Sequence, residues 1–157
     1  MLIRPATQAD IAPWCALATE VSDIFQHPRD MGADKEFIAY VQNKVSKQEA
    51  LTAVDDTSGE NMGFVGFSRG KNRISWLAVS GKYRGKGAGD RLIKAALRQL
   101  DTDREITLST FLSDYMPGLA ARALYEKYGF EESGLTEYNG HSGCVMTRLP
   151  TVGEGKS

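Results

Sequence analysis

Ser80–Gly89, which reads Ser-Gly-Lys-Tyr-Arg-Gly-Lys-Gly-Ala-Gly, holds the residues whose types and spacing best fit chemistry. A short apolar segment, Ile74–Val79, precedes it, and a strongly periodic segment follows. That segment places Leu92, Ile93, Ala96, Leu97 and Leu100 on one helical face and Arg91, Lys94 and Arg98 on the other. A strand entering a helix through such a loop forms an anion site. The first N–H groups of a helix have no partner within it, and the aligned peptide dipoles concentrate positive charge there. Glycines at 85, 87 and 89 let the main chain approach a bulky phosphate. Arg84 and Lys86 can add charge.

Spacing narrows the ligand. A P-loop requires Gly, four residues, then Gly-Lys-Ser/Thr. The terminal Gly155-Lys156-Ser157 has those letters without a strand before it or a helix after it. The loop reads G-x-G-x-G, not the G-x-G-x-x-G of a dinucleotide fold, and it follows three predicted strands. Other chemistries find less support. Cys15 and Cys144 lie in unlike segments and read as buried reduced thiols, and His27 and His141 belong to no metal motif. A net charge of −1 argues against a general nucleic-acid binder. No apolar run is long enough for a bilayer span, and the first residues do not show a signal-peptide pattern. These features lead us to expect a soluble, cytoplasmic, metal-free protein without membrane or nucleic-acid partners.

The 157 residues, 41% of them hydrophobic, suffice for one domain with a sizeable core, expected over 1–149 with a frayed tail at 150–157. Leu2–Ala6 reads as a strand. A first helix sets Ile11, Trp14, Ala18, Val21 and Phe25 on one stripe, capped by Thr7 or, better, by Asp10, which leaves Pro13 in the first turn. After a loop at 26–33, a second helix over 34–47 turns Phe37, Ile38, Val41 and Val45 inward, with Asp34 as its cap. Strands follow at 50–54, 62–68 and 74–79. Beyond the long helix come a strand at 105–111, a helix at 118–128 ended by Gly129, and strands at 130–138 and 143–149. The loop at Asn139-Gly140 reads as a hairpin turn that exceeds two residues if His141 and Ser142 belong to it.

Arg84-Gly85-Lys86-Gly87-Ala88-Gly89 resembles the acetyl-CoA signature Arg/Gln-x-x-Gly-x-Gly/Ala of the GNAT superfamily of N-acetyltransferases. Leu124-Tyr125-Glu126-Lys127-Tyr128-Gly129-Phe130 resembles the family's final helix. The two motifs stand in the family's order with one strand between them, and the resemblance covers roughly residues 1–149. It implies an α/β fold of mixed α+β type, β-α-α-β-β-β-α-β-α-β-β. It further implies that the strands at 74–79 and 105–111 splay apart. Pantetheine would then lie along the freed edge at Leu77, Ala78 and Val79, with the pyrophosphate on Arg84, Gly85, Lys86, Gly87, Ala88 and Gly89. By the same resemblance a backbone N–H near Leu77–Val79 receives the oxyanion and Tyr125 protonates the departing thiolate, while Leu124, Tyr128 and Phe130 pack.

Two positions depart from the family pattern. The Asn that many members carry seven residues before the tyrosine is Gly118 here, and Arg73–Val79 lacks the Glu that many use as base. The amine's proton could leave by water through Ser75, Ser109 or Thr110, or to an acid elsewhere. The expected activity is acetyl transfer from acetyl-CoA to a primary amine of a small molecule or peptide. Alternatives are a non-catalytic acetyl-CoA-binding or sensing module and a domain that has kept only the fold. Homodimerisation is left open. By the same resemblance Glu20, Asp23, Asp30, Asp34 and Glu36 border the acceptor groove, with Glu131, Glu132 and Glu137 on its other wall. They could give it a negative potential that concentrates a cationic amine, or else simply cap helices and keep the surface soluble.

Overall fold

The computed structural model describes residues 1–138 and 140–150, so the expected tail at 151–157 and Asn139 of the last turn lie outside the described residues. Its elements run β1 (Leu2–Pro5), α1 (Ile11–Glu20), α2 (Lys35–Ser46), β2 (Ala50–Val54), β3 (Asn61–Ser68) and β4 (Arg73–Val79). They continue with α3 (Ala88–Gln99), β5 (Ile106–Phe111), α4 (Leu119–Lys127), β6 (Phe130–Tyr138) and β7 (His141–Arg148). The order of strands and helices is the expected one. β7 begins two residues early, because pairing with β6 continues to Tyr138 opposite His141.

The seven strands form one mixed sheet in the order β1-β2-β3-β4-β5-β7-β6. Its neighbours pair antiparallel except β4 and β5, which run parallel and share one register pair, Arg73 with Thr107. From that vertex the two strands diverge, leaving one edge of β4 unpaired along the rest of its length. α3 and α4 cover one face through Leu92, Ile93, Ala96, Leu97 and Tyr125. α1 and α2 cover the other around Trp14, whose ring stacks on Phe64 at 5.0 Å with an 8° interplanar angle. Buried apolar area of this kind is the main favourable term holding such layers together. Among the described residues, no helix is long and apolar enough to cross a membrane.

Of the two caps expected for the first helix, the start of the helix follows Thr7 with Asp10 three residues later, and not Asp10 itself. A turn of 3-10 helix at Gln8–Asp10 precedes α1, and the Asp10 side chain makes no cap bond to α1. The carboxylate instead reaches back to the Thr7 N–H at 2.7 Å, takes a bidentate pair from Arg4 at 2.7 and 3.0 Å, and accepts from Asn61 at 3.1 Å. It thereby ties β1, the helix entry and β3 together. Burial alone would raise the Asp10 pKa, but the hydrogen bonds from Arg4, Thr7 and Asn61 outweigh it and hold the carboxyl well below the usual range. A depressed carboxyl contributes stability above its unfolded pKa and loses it as pH falls through the folded value. Asp10→Ala is therefore expected to cost about 1.5–3 kcal/mol in urea unfolding at neutral pH, the range for hydrogen bonds to charged groups. The difference from wild type should shrink as pH drops below about 4.

Candidate active site

The divergence of β4 from β5 opens a cleft of about 670 Å³. β4 supplies one wall, β5 and α4 the opposite one, the glycine loop one end, and the segment after α1 together with the β6–β7 hairpin the other. The alternation of backbone bonds shows what β4 offers. The Ser80 N–H donates to Met62 O on the β3 side at 2.8 Å, so with period two the backbone groups of Leu77 and Val79 face away from β3, into the cleft. Ala78 lines the cleft, but its own N–H and C=O face β3. The expected edge thus reduces to Leu77 and Val79 as hydrogen-bonding positions.

At the end of β4, Glu20 accepts from the Gly81 N–H at 2.7 Å and from the Ser80 hydroxyl at 2.9 Å, fixing the entry to the loop. Gly85 and Gly87 both adopt left-handed backbone, φ 78° and 86°, with open space where a Cβ would stand. Gly87 is the residue before the first turn of α3, and its carbonyl accepts from the Arg91 N–H at 3.1 Å. The N–H groups of the first turn are therefore presented at the cleft, whose lining includes Gly85, Gly87, Ala88 and Gly89. Gly89 has a different reason to be glycine: a Cβ there would meet Leu124 at 3.3 Å, where α3 and α4 cross. Arg84 lines the cleft and donates its Nε to the Val79 carbonyl at 3.4 Å. Lys86 does not line it; its ammonium sits 5.7 Å from the centre of the Tyr83 ring. A backbone cradle at a helix N-terminus beside an unpaired strand edge fits a diphosphate joined to an amide-containing arm.

Tyr125 lies on α4, 6% exposed, its ring packed edge-on to Phe130 at 6.2 Å, and it lines the cleft. Burial pushes its hydroxyl pKa up. The hydroxyl is therefore neutral and, among the described residues, has no hydrogen-bond partner.

Gly118 has a local cause. A Cβ there would lie 2.4–2.6 Å from Phe111, so the ring at the end of β5 occupies the space that an Asn side chain needs. Arg122 secures that end of β5, donating from Nη1 to Phe111 O at 2.8 Å and from Nη2 to Glu132 at 2.5 Å. Phe111 in turn touches Phe25 at 5.8 Å and Tyr115 at 5.1 Å. Phe25 lies beyond the end of α1, not on its inward stripe, and also reaches Trp76 of β4 at 5.4 Å. The Phe25 ring thus bridges the two diverging strands. Tyr115 adds a hydrogen bond to Ile24 O at 2.8 Å.

Of the two readings of these carboxylates, the structure favours caps and surface positions over an acidic groove. Of the eight carboxylates named from the sequence, only Glu137 lines the cleft. Glu20 caps the loop, Asp30 accepts from Thr19 and Gly32, and Asp34 caps α2 and pairs with His27 at 3.0 Å. Glu131 and Glu132 border a separate depression with Glu105. Of the relay candidates, Ser75 bonds the Tyr40 hydroxyl at 2.5 Å and Ser109 lies 3.5 Å from Arg73; both line the cleft with Thr110. Sequence reading missed Arg73, Tyr40 and Phe111 as cleft residues. A β-bulge explains part of this, since Gly66 pairs with Trp76 and Phe67 with Ile74, leaving Ser75 unpaired and breaking simple alternation along β4.

The family described as an acetyltransferase (GNAT) domain matches residues 25–148. No curated protein sequence matches the chain. Among solved structures, Ard1 from Thermoplasma volcanium aligns with a TM-score of 0.72 at 18% identity, covering 95% of this chain and 97% of that one. A ribosomal-protein-alanine N-acetyltransferase from Brucella melitensis gives 0.71 at 20%, covering 95% and 99%. A chain of the NatC complex bound to Gag peptide and CoA gives 0.70 at 19%, covering 94% and 97%. These likenesses are of fold, and with the domain match and the splayed β4–β5 cleft they lead to one assignment: the chain belongs to the GNAT acetyltransferase family.

Proposed function

We propose that the protein is an N-acetyltransferase that moves an acetyl group from acetyl-CoA to a primary amine. The observation that carries this reading is the continuity of one cleft from the left-handed glycine cradle, along the free edge of β4, to the Tyr125 hydroxyl. Acetyl-CoA would supply an acetyl thioester already activated toward amines. First-turn N–H groups of α3 and the Arg84 guanidinium would hold its diphosphate. Leu77 and Val79 would hydrogen-bond its pantetheine arm, and one of their N–H groups would polarise the reacting carbonyl. Tyr125 would give its proton to the departing sulfur.

The amine must lose a proton before or during attack. Glu137 and His141 line the cleft from the β6–β7 hairpin, and carboxylate and imidazole are both side-chain types used as general bases. The retained tyrosine, open to the cleft, favours catalysis over a purely sensing role. Thiol release from acetyl-CoA, measured against a broad panel of primary amines, is expected to exceed the amine-free rate for at least one member. Saturable acetyl-CoA binding with no stimulation by any amine class would favour the sensing module instead.

A further inference from the structure

The cleft has a second arginine, Arg73 of β4, at the end opposite the glycine loop. Arg73 stands at the vertex where β4 and β5 share their one register pair, six residues from Val79, or about 20 Å at the rise of a strand. Its side chain lines the cleft beside Tyr40, Ser75 and Ser109. A guanidinium has five N–H donors. Here Nη2 has only a 3.5 Å contact to the Ser109 hydroxyl, and Nε is buried with no partner. Among the described residues Arg73 forms no ion pair, whereas Arg4 and Arg122 each have a carboxylate; the half-buried Arg148 also has none, but it lies outside the cleft and donates its Nε to the Tyr128 carbonyl at 2.9 Å. A half-buried guanidinium without a counter-ion is costly unless something completes it. Glu137, the one carboxylate lining the cleft, makes no ion pair with it.

Arg73 is too far along β4 to serve the diphosphate end. Between it and Leu77 the walls are aromatic, with Phe25, Phe37 and Trp76 from one side and Phe111 from the other. The geometry points to Arg73 as the recognition site for a carboxylate on the acceptor, making the substrate class a small amine that also bears a carboxylate and an apolar body. This rests on the acetyltransferase reading and names its acceptor. The planar fork of a guanidinium matches a carboxylate with two parallel hydrogen bonds, which an ammonium cannot reproduce. An amine lacking the carboxylate leaves those donors unpaired and loses the transition-state binding they provide.

The test uses α- and ω-amino acids paired with their own carboxamides, with thiol release from acetyl-CoA recorded for wild type, Arg73→Gln and Arg73→Lys. Wild type is expected to prefer the acid member of its best pair by at least about tenfold in kcat/KM, the ratio for one good charged contact of 1.4 kcal/mol or more. Arg73→Gln should bring that ratio close to one, mainly through KM, and Arg73→Lys should restore part of it. Acetyl-CoA affinity by calorimetry should be the same in all three. Equal or better turnover of the carboxamides by wild type overturns the proposal, even if Arg73→Gln fails to fold. So does an equal loss on both members in Arg73→Gln. Acetyl-CoA binding without acetylation of any acid overturns it as well, while failure of acetyl-CoA to bind overturns the activity on which it rests.

Discussion

Gly87→Val is expected to lower acetyl-CoA affinity by roughly a hundredfold, about 2.8 kcal/mol, in a protein that still folds. Gly87 sits at φ 86° immediately before α3, a conformation that costs a β-branched residue of order 1–3 kcal/mol. The variant escapes that strain by rotating the backbone out of the left-handed region, which moves the first-turn N–H groups away from the cleft. Nothing lies within 4 Å of the Cβ position, so the loss does not come from a clash with the core. α3 keeps its packing through Leu92, Ile93, Ala96 and Leu97, and the unliganded melting temperature should fall only modestly. Calorimetric titration and ligand-induced thermal shift are the measurements, because a ligand at a hundred times its Kd stabilises by about 2.7 kcal/mol. Gly89→Val is a contrasting control, expected to lose stability first, since its Cβ would press on Leu124 at 3.3 Å. A folded Gly87→Val protein with unchanged affinity would remove the loop from the binding site.

The parts of this site that were legible in the sequence are local. The strand, glycine loop and helix over 74–100 announce themselves because periodicity and glycine spacing act over a few residues. Asp34 likewise caps α2 within its own turn, accepting from the Glu36 N–H at 3.0 Å. The parts that were not legible depend on residues distant along the chain. Asp10 has the right type and position for a cap, yet Arg4 and Asn61 claim its carboxylate. Glycine at 118 reads as a missing contact until the Phe111 ring is seen filling the space. Phe25 keeps the spacing of the α1 stripe, but α1 ends at Glu20 and the ring turns to the cleft. The acidic groove loses to caps and surface positions for a related reason. Carboxylates near a groove in sequence are drawn to the nearest unpaired N–H or cation, as Glu20 is to Gly81 and Glu132 to Arg122. Arg73 had no such partner, and a charge without a partner carries no pattern in a sequence.

Tyr125→Phe is expected to reduce turnover by about 10²–10⁴-fold while leaving acetyl-CoA affinity nearly unchanged. The substitution keeps the ring that packs on Phe130 at 6.2 Å and removes only the hydroxyl. Tyr125→Ala would not be diagnostic, because opening a cavity beneath α4 costs about 3–5 kcal/mol by itself. The surroundings of the hydroxyl support the proposed donor role. Among the described residues no group hydrogen-bonds to it, Tyr125 lines the cleft, and burial raises its pKa, so it stays protonated across the working range. The sign is testable in wild type: a raised tyrosine pKa keeps the acid form in place as pH climbs, so this group imposes no loss of kcat below about pH 10. Removing an interaction made only in the transition state lowers kcat and kcat/KM by the same factor. Single-turnover rates should show the full defect, which separates chemistry from product release. A Phe variant with wild-type single-turnover rates across pH would leave Tyr125 as a core residue of α4, and the departing sulfur would then take its proton from elsewhere.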